Sequence, residues 1–262
     1  MEVISPNPQL LWVPVHDTDI AYVGQVVYSI GEGVANLATA SGAADTTNKS
    51  VPFGVVVATS NRTQTFDATY KANSITGVLT QAAQVARDNA GVGGVWPIGD
   101  PQPYVQVALI TPDTILRARI YKTTLGTAPT VLTVTTGSTT GLGFTSNACD
   151  FTPVADLCTT YCRSGANMGI YRVSDDTSTT VETNDRAFPQ DIAVGDTFVR
   201  VPLRINGTSY AQTDGEALFL NCAAGPATDY WVVEVVRLDL SKAGGEFADF
   251  RFGGDHFAKA RA

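Results

Sequence analysis

The chain has 262 residues, with 17 Lys and Arg against 25 Asp and Glu, for a formal net charge of −8. Only 16% of residues are charged while 44% are hydrophobic, the reverse of the balance that keeps a chain disordered. Few cations on an acidic chain also speak against phosphate backbones as ligands, so no nucleic-acid partner is expected. Thr and Val number 33 and 29. Both branch at Cβ, which restricts them in helices and suits pleated surfaces, so a mainly β fold is predicted. No apolar run reaches the roughly 18 residues of a spanning helix, and no membrane partner is expected. The start, Met1-Glu2-Val3-Ile4-Ser5-Pro6, lacks the basic and apolar regions of a signal peptide, which predicts a product made and kept in a cytoplasm, at least until assembly or lysis.

In chain order, residues 1–17 carry Pro6, Pro8 and Pro14 and read as irregular. Strands are predicted at 21–30 and 53–59, the second holding the apolar run Gly54-Val55-Val56-Val57 of a strand covered on both faces. Weak helical spacing follows over 76–87. Gly91-Val92-Gly93-Gly94 reads as a turn, since it lacks the Lys and hydroxyl of a phosphate loop. Strands are expected at 104–110 and 114–121, around the turn Thr111-Pro112-Asp113. From 123 to 147 Thr, Gly and Ser dominate, and the stretch reads as a hairpin or a linker.

A helix is predicted over 153–163. Thr152 fits an N-cap and Pro153 a first helical position, and Val154, Leu157, Cys158, Tyr161 and Cys162 share one helical face. Cys149, Cys158, Cys162 and Cys222 are expected to be free, packed thiols rather than metal ligands, because His16 and His256 stand at opposite ends of the chain. Strands are then predicted at 169–174 and 179–183, around a turn at 175–178. Another runs over 197–205 and turns at Asn206-Gly207 into 208–210, followed by 217–222 and 230–240. The tail, 244–262, interleaves Gly with Phe247, Phe250, Phe252 and Phe257. It reads as an extended arm whose rings anchor a partner, with Trp12 as a further contact.

These elements divide the chain into an N-terminal β module (1–122), the hairpin or linker (123–147), a C-terminal β module (148–243) and the tail (244–262). The fold class is mainly β: one or two small sandwich or barrel modules with one or two short helices and extended arms. Two acidic groups, His16-Asp17-Thr18-Asp19 and Asp175-Asp176, read as solvated turns, since neighbours on a strand point to opposite faces. No catalytic residue, metal site or cofactor is expected, and the chain is not read as an enzyme. One internal echo stands out. Asp19-Ile20-Ala21-Tyr22-Val23-Gly24-Gln25-Val26-Val27 can be set against Asp191-Ile192-Ala193-Val194-Gly195-Asp196-Thr197-Phe198-Val199. In each a Val-Gly-polar triplet leads into an apolar strand.

Val23-Gly24-Gln25-Val26-Val27 followed by Val51-Pro52-Phe53-Gly54-Val55-Val56 resembles the small β modules of capsid decoration and stabilisation proteins of tailed phages. Gly169-Ile170-Tyr171-Arg172-Val173-Ser174 and Val194-Gly195-Asp196-Thr197-Phe198 are similar to stretches of other phage virion proteins. The resemblance implies a β-tulip-like fold, a place on the outer capsid surface, the major capsid protein as partner and self-association as a homotrimer. It brings no catalytic residues. A tail-tube or head–tail connector subunit is the second reading, which a long hairpin at 123–146 would support. An enzyme or a carbohydrate-binding β domain is the third, and it would need a pocket with convergent polar groups and stacked rings.

Overall fold

The structure, a computed structural model, describes residues 1–15, 20–29, 35–37, 52–60, 65–68, 71–76, 104–122, 125–137, 141–146, 158–176, 180–183, 186–201, 203, 208–213, 218–222 and 231–253. Among these the chain is strands, turns and loops, without a helix. It divides into two compact units, the first built on Met1–Leu116 and the second on Arg117–Asp214 and Phe219–Gly253. The expectations for 76–87, 89–94 and His16–Asp19 lie outside the described residues.

Unit one contains β1 (Glu2–Val3), β2 (Leu10–Pro14), β3 (Ile20–Tyr22), β4 (Val26–Ser29), β5 (Ala35–Leu37), β6 (Pro52–Thr59), β7 (Thr65–Asp67), β8 (Ala72–Thr76) and β9 (Tyr104–Leu109). A five-stranded sheet runs in the order β2-β9-β6-β4-β5, and a three-stranded one in the order β3-β8-β7. Val13, Ala21, Val27, Val56, Ile75 and Val107 meet in its core. Residues 4–9, with Pro6 and Pro8, are irregular as expected, but Pro14 does not keep β2 from pairing with β9 along its whole length. Leu109 N–H donates to Gln9 O at 2.9 Å, so odd-numbered residues of β2 bond to β9 and the nitrogen of Pro14 faces away. The ladder loses nothing at that position.

Unit two contains β10 (Leu116–Tyr121), β11 (Val131–Thr136), β12 (Gly143–Ser146), β13 (Thr159–Cys162), β14 (Gly169–Asp176), β15 (Thr180–Thr183), β16 (Thr197–Val201), β17 (Thr208–Thr213), β18 (Phe219–Asn221), β19 (Trp231–Asp239) and β20 (Phe247–Phe252). Six of these close a barrel in the order β11-β12-β15-β14-β13-β16, antiparallel throughout. Inside it lie Leu132, Val134, Phe144, Tyr171, Val173 and Phe198. The Thr-rich stretch is therefore no linker: β11 and β12 form a hairpin that supplies two staves of the barrel. A second sheet sets β10-β18-β17-β19-β20 side by side, and a further pairing of β10 with β20 joins its ends.

Three local expectations change in unit two. Residues 159–162, placed in a helix over 153–163, form β13, which pairs with β14 on one side and β16 on the other. Residues 153–157 lie outside the described set. Asp175 and Asp176, expected in a turn, extend β14 and pair with Glu182 and Val181. β16 and β17, expected to face each other across Asn206-Gly207, do not pair: β16 pairs with β11 and β13 and β17 with β18 and β19, while Asn206-Gly207 itself lies outside the described residues.

The internal echo is one turn used twice. Gln25 N–H donates to Tyr22 O at 3.0 Å, and Asp196 N–H donates to Ala193 O at 3.1 Å. Each polar side chain reaches back to the start of its turn: Tyr22 N–H donates to Gln25 Oε1 at 3.1 Å, and Ala193 N–H donates to Asp196 Oδ2 at 3.0 Å. Gly24 and Gly195 occupy the third position at φ 91° and 93°, as a type II turn demands. Both turns dock alike on a neighbouring strand. Gly24 N–H donates to Val56 O and Val56 N–H to Gln25 O, while Gly195 N–H donates to Val134 O and Val134 N–H to Asp196 O.

The two glycines differ in surroundings. A Cβ on Gly195 would meet nothing, whereas one on Gly24 would stand 2.8 Å from Met1 N and 3.1 Å from Met1 O. Gly195→Ala should cost only the left-handed backbone strain, about 1–2 kcal/mol. Gly24→Ala should cost clearly more, because backbone must move. Urea unfolding of each variant checks the order, and a Gly24→Ala no worse than Gly195→Ala refutes it.

Candidate functional site

The chemistry-bearing side chains of the described residues are mostly tied up by their own chain. Cys158, Cys162 and Cys222 are free and buried. Burial pushes the Cys162 thiol up to about 11 and the Cys222 thiol up to about 12, so neither forms a nucleophilic thiolate near neutrality. Carboxylates pair with guanidiniums: Asp249 with Arg117 at 2.6 Å, Glu234 with Arg251 at 2.8 Å, and Glu246 with Arg163. The hydrogen bond and the charge of Arg251 hold Glu234 below the usual carboxylate range. Among the described residues no cluster of His, Cys, Asp and Glu is arranged to hold a metal ion.

The five expected partner contacts separate. Phe250 and Phe252 are no anchors for a neighbour: on β20 they are fully buried in unit two, their rings edge-to-face at 5.9 Å. Ala248, Phe250 and Phe252 alternate inward along a strand paired with β19, so residues 247–252 form part of the core rather than an arm. Phe247 is half-buried and held by cations of its own chain, with the Arg117 guanidinium 4.7 Å and the Arg237 guanidinium 5.7 Å from the ring centre. Phe257 lies outside the described residues.

Trp12 alone is a surface group. On β2 it is 50% exposed, beside Leu10 at 48% and Leu11 at 44%. Successive side chains of a strand point to opposite faces, so the strip is apolar on both. The face of Leu11 continues into the core through Val13 and Val107. The face of Leu10 and Trp12 borders an open cleft of about 500 Å³, lined by Pro8, Leu10, Val23, Val56, Val57 and Gln106 among others. Its lining has no aromatic ring, and its polar side chains are those of Glu2 and Gln106. Sequence reasoning passed over Leu10 and Leu11, although an uncharged apolar triplet between Pro8 and Pro14 marks such an edge.

Among the described residues, β2 presents an apolar surface and a side with which no strand pairs. Compared with family models, curated proteins and solved structures, the chain matches none.

Proposed function

We propose that this chain is a non-enzymatic virion structural protein that binds the outer capsid surface and reinforces the lattice through the major capsid protein and copies of itself. The observation that carries the reading is the edge strand β2, with Leu10, Leu11 and Trp12 each about half exposed. A strand edge with this much apolar surface is costly to leave in water and gains most from a permanent neighbour. The all-β modules and the low charge fit a subunit whose surface is given to contacts.

The second reading, a tail-tube or connector subunit, draws on a long hairpin at 123–146. β11 and β12 do pair as a hairpin, here as two neighbouring staves of a closed barrel. Among the described residues, the lining of the cleft beside β2 holds no ring on which a sugar would stack.

The test is capsid binding. Purified protein should decorate emptied heads of its own virus in electron micrographs and raise the temperature at which they rupture. Heads that stay bare at saturating protein sink the proposal.

A further inference from the structure

We infer that β2 is a self-pairing edge: two copies of this chain join by antiparallel pairing of their β2 strands about a two-fold axis at Leu11. The inference rests on the reading of the chain as a self-associating structural subunit and names the contact by which it associates.

The hydrogen bonds of β2 set the geometry. Gln9 accepts from Leu109, and the register runs Leu11 to Val107 and Val13 to Val105, so odd-numbered residues face β9. The N–H and C=O of Leu10 and Trp12 therefore point outward, and among the described residues no strand pairs with that side. Pro8 and Pro14, without N–H groups, bracket the open stretch. Edges guarded against pairing carry charge, yet residues 3–15 hold no charged side chain.

A second copy fits this edge by symmetry. With Leu11 opposite Leu11 of the second copy, Leu10 stands opposite Trp12 twice, and each of those pairs exchanges two backbone hydrogen bonds. The Leu11 pair falls at the non-hydrogen-bonded position, where Cα atoms approach to about 4.5 Å. Each face finds its own kind. Leu11 against Leu11 continues the core marked by Val13 and Val107, and Trp12 of the second copy lies over Leu10 at the mouth of the aliphatic cleft. A two-fold contact places every residue against its symmetry mate, and an uncharged strip brings no like charges together. A strand from a different protein would have to supply the apolar side chains on both faces that this strand already carries.

Three variants at one position test the pairing. Leu11→Cys in a Cys149→Ser background should cross-link to a covalent dimer under mild oxidation, since the predicted Cα separation lies within disulfide reach and Cys158, Cys162 and Cys222 are buried. Wild-type protein should sediment as a dimer at micromolar concentration. Leu11→Lys and Leu11→Glu should each lose that dimer while keeping the strand spectrum in circular dichroism, and mixing the two should restore it. A wild-type monomer, a trimer indifferent to Leu11→Lys, or a Leu11→Cys protein that fails to cross-link overturns the inference. Capsid decoration without the cross-link overturns the pairing and leaves the virion role standing. Cross-linking without decoration supports the pairing and removes the capsid role.

Discussion

Glu246→Leu is expected to destabilise unit two by about 3–5 kcal/mol, the cost of stranding a buried guanidinium. The side chains of Arg163 and Glu246 are 9% and 2% exposed, so water cannot take over when one partner is removed. Arg163 follows the barrel strand β13, while Glu246 precedes β20 of the second sheet, and the pair ties the two together within the unit. Two more bonds surround it: Arg163 Nε donates to Leu240 O at 2.8 Å, and Gly244 N–H donates to Glu246 Oε1 at 3.3 Å. The double variant Arg163→Met with Glu246→Leu removes both charges and strands only neutral groups, chiefly the Leu240 carbonyl. Its loss should fall to about 1–3 kcal/mol. Urea unfolding of the singles and the double closes the cycle. A Glu246→Leu cost within the range of exposed pairs, below about 1 kcal/mol, would show that the pair is not a clamp.

The β character was written in the branched residues, but which period they followed was not. Cys158 and Cys162 show the difficulty, since a spacing of four residues puts them on one face of a helix and equally on one face of a strand. Both lie in the barrel core. The helix reading gave weight to Thr152-Pro153 and too little to Thr159-Thr160, whose branching favours the pleat. Their hydroxyls are satisfied there, Thr160 donating to Val199 O at 3.2 Å and Thr159 to Leu203 O. The tail failed for a related reason. Gly244-Gly245 and Gly253-Gly254 drew attention to flexibility, while the alternation of Ala248, Phe250 and Phe252 between them was the signal of a core strand. Pairing partners such as β20 with β10 depend on distant segments, and no local pattern names them. The Val-Gly-polar echo was legible because its cause is local: a glycine at positive φ and a side chain that caps its own turn.

Phe198→Ala is expected to cost unit two about 3–5 kcal/mol, the range for a large ring removed from a closed core. Phe198 is fully buried on β16, opposite Leu132 of β11 and Cys162 of β13. Its ring stacks on Phe144 at 4.1 Å and meets Phe188 edge-on at 5.9 Å, and Tyr171 lies 4.4 Å from Phe188. A six-stranded barrel closed by antiparallel ladders cannot shrink around the vacancy without breaking register, so the cavity persists and the ring contacts are lost outright. Val194→Ala serves as the control in the same segment: Val194 is 68% exposed in the turn before β16, and its loss should stay within about 0.5 kcal/mol. Near-ultraviolet circular dichroism should report the broken ring cluster in Phe198→Ala and no change in Val194→Ala. Equal stability of the two variants in urea would mean that the ring cluster does not hold the barrel together.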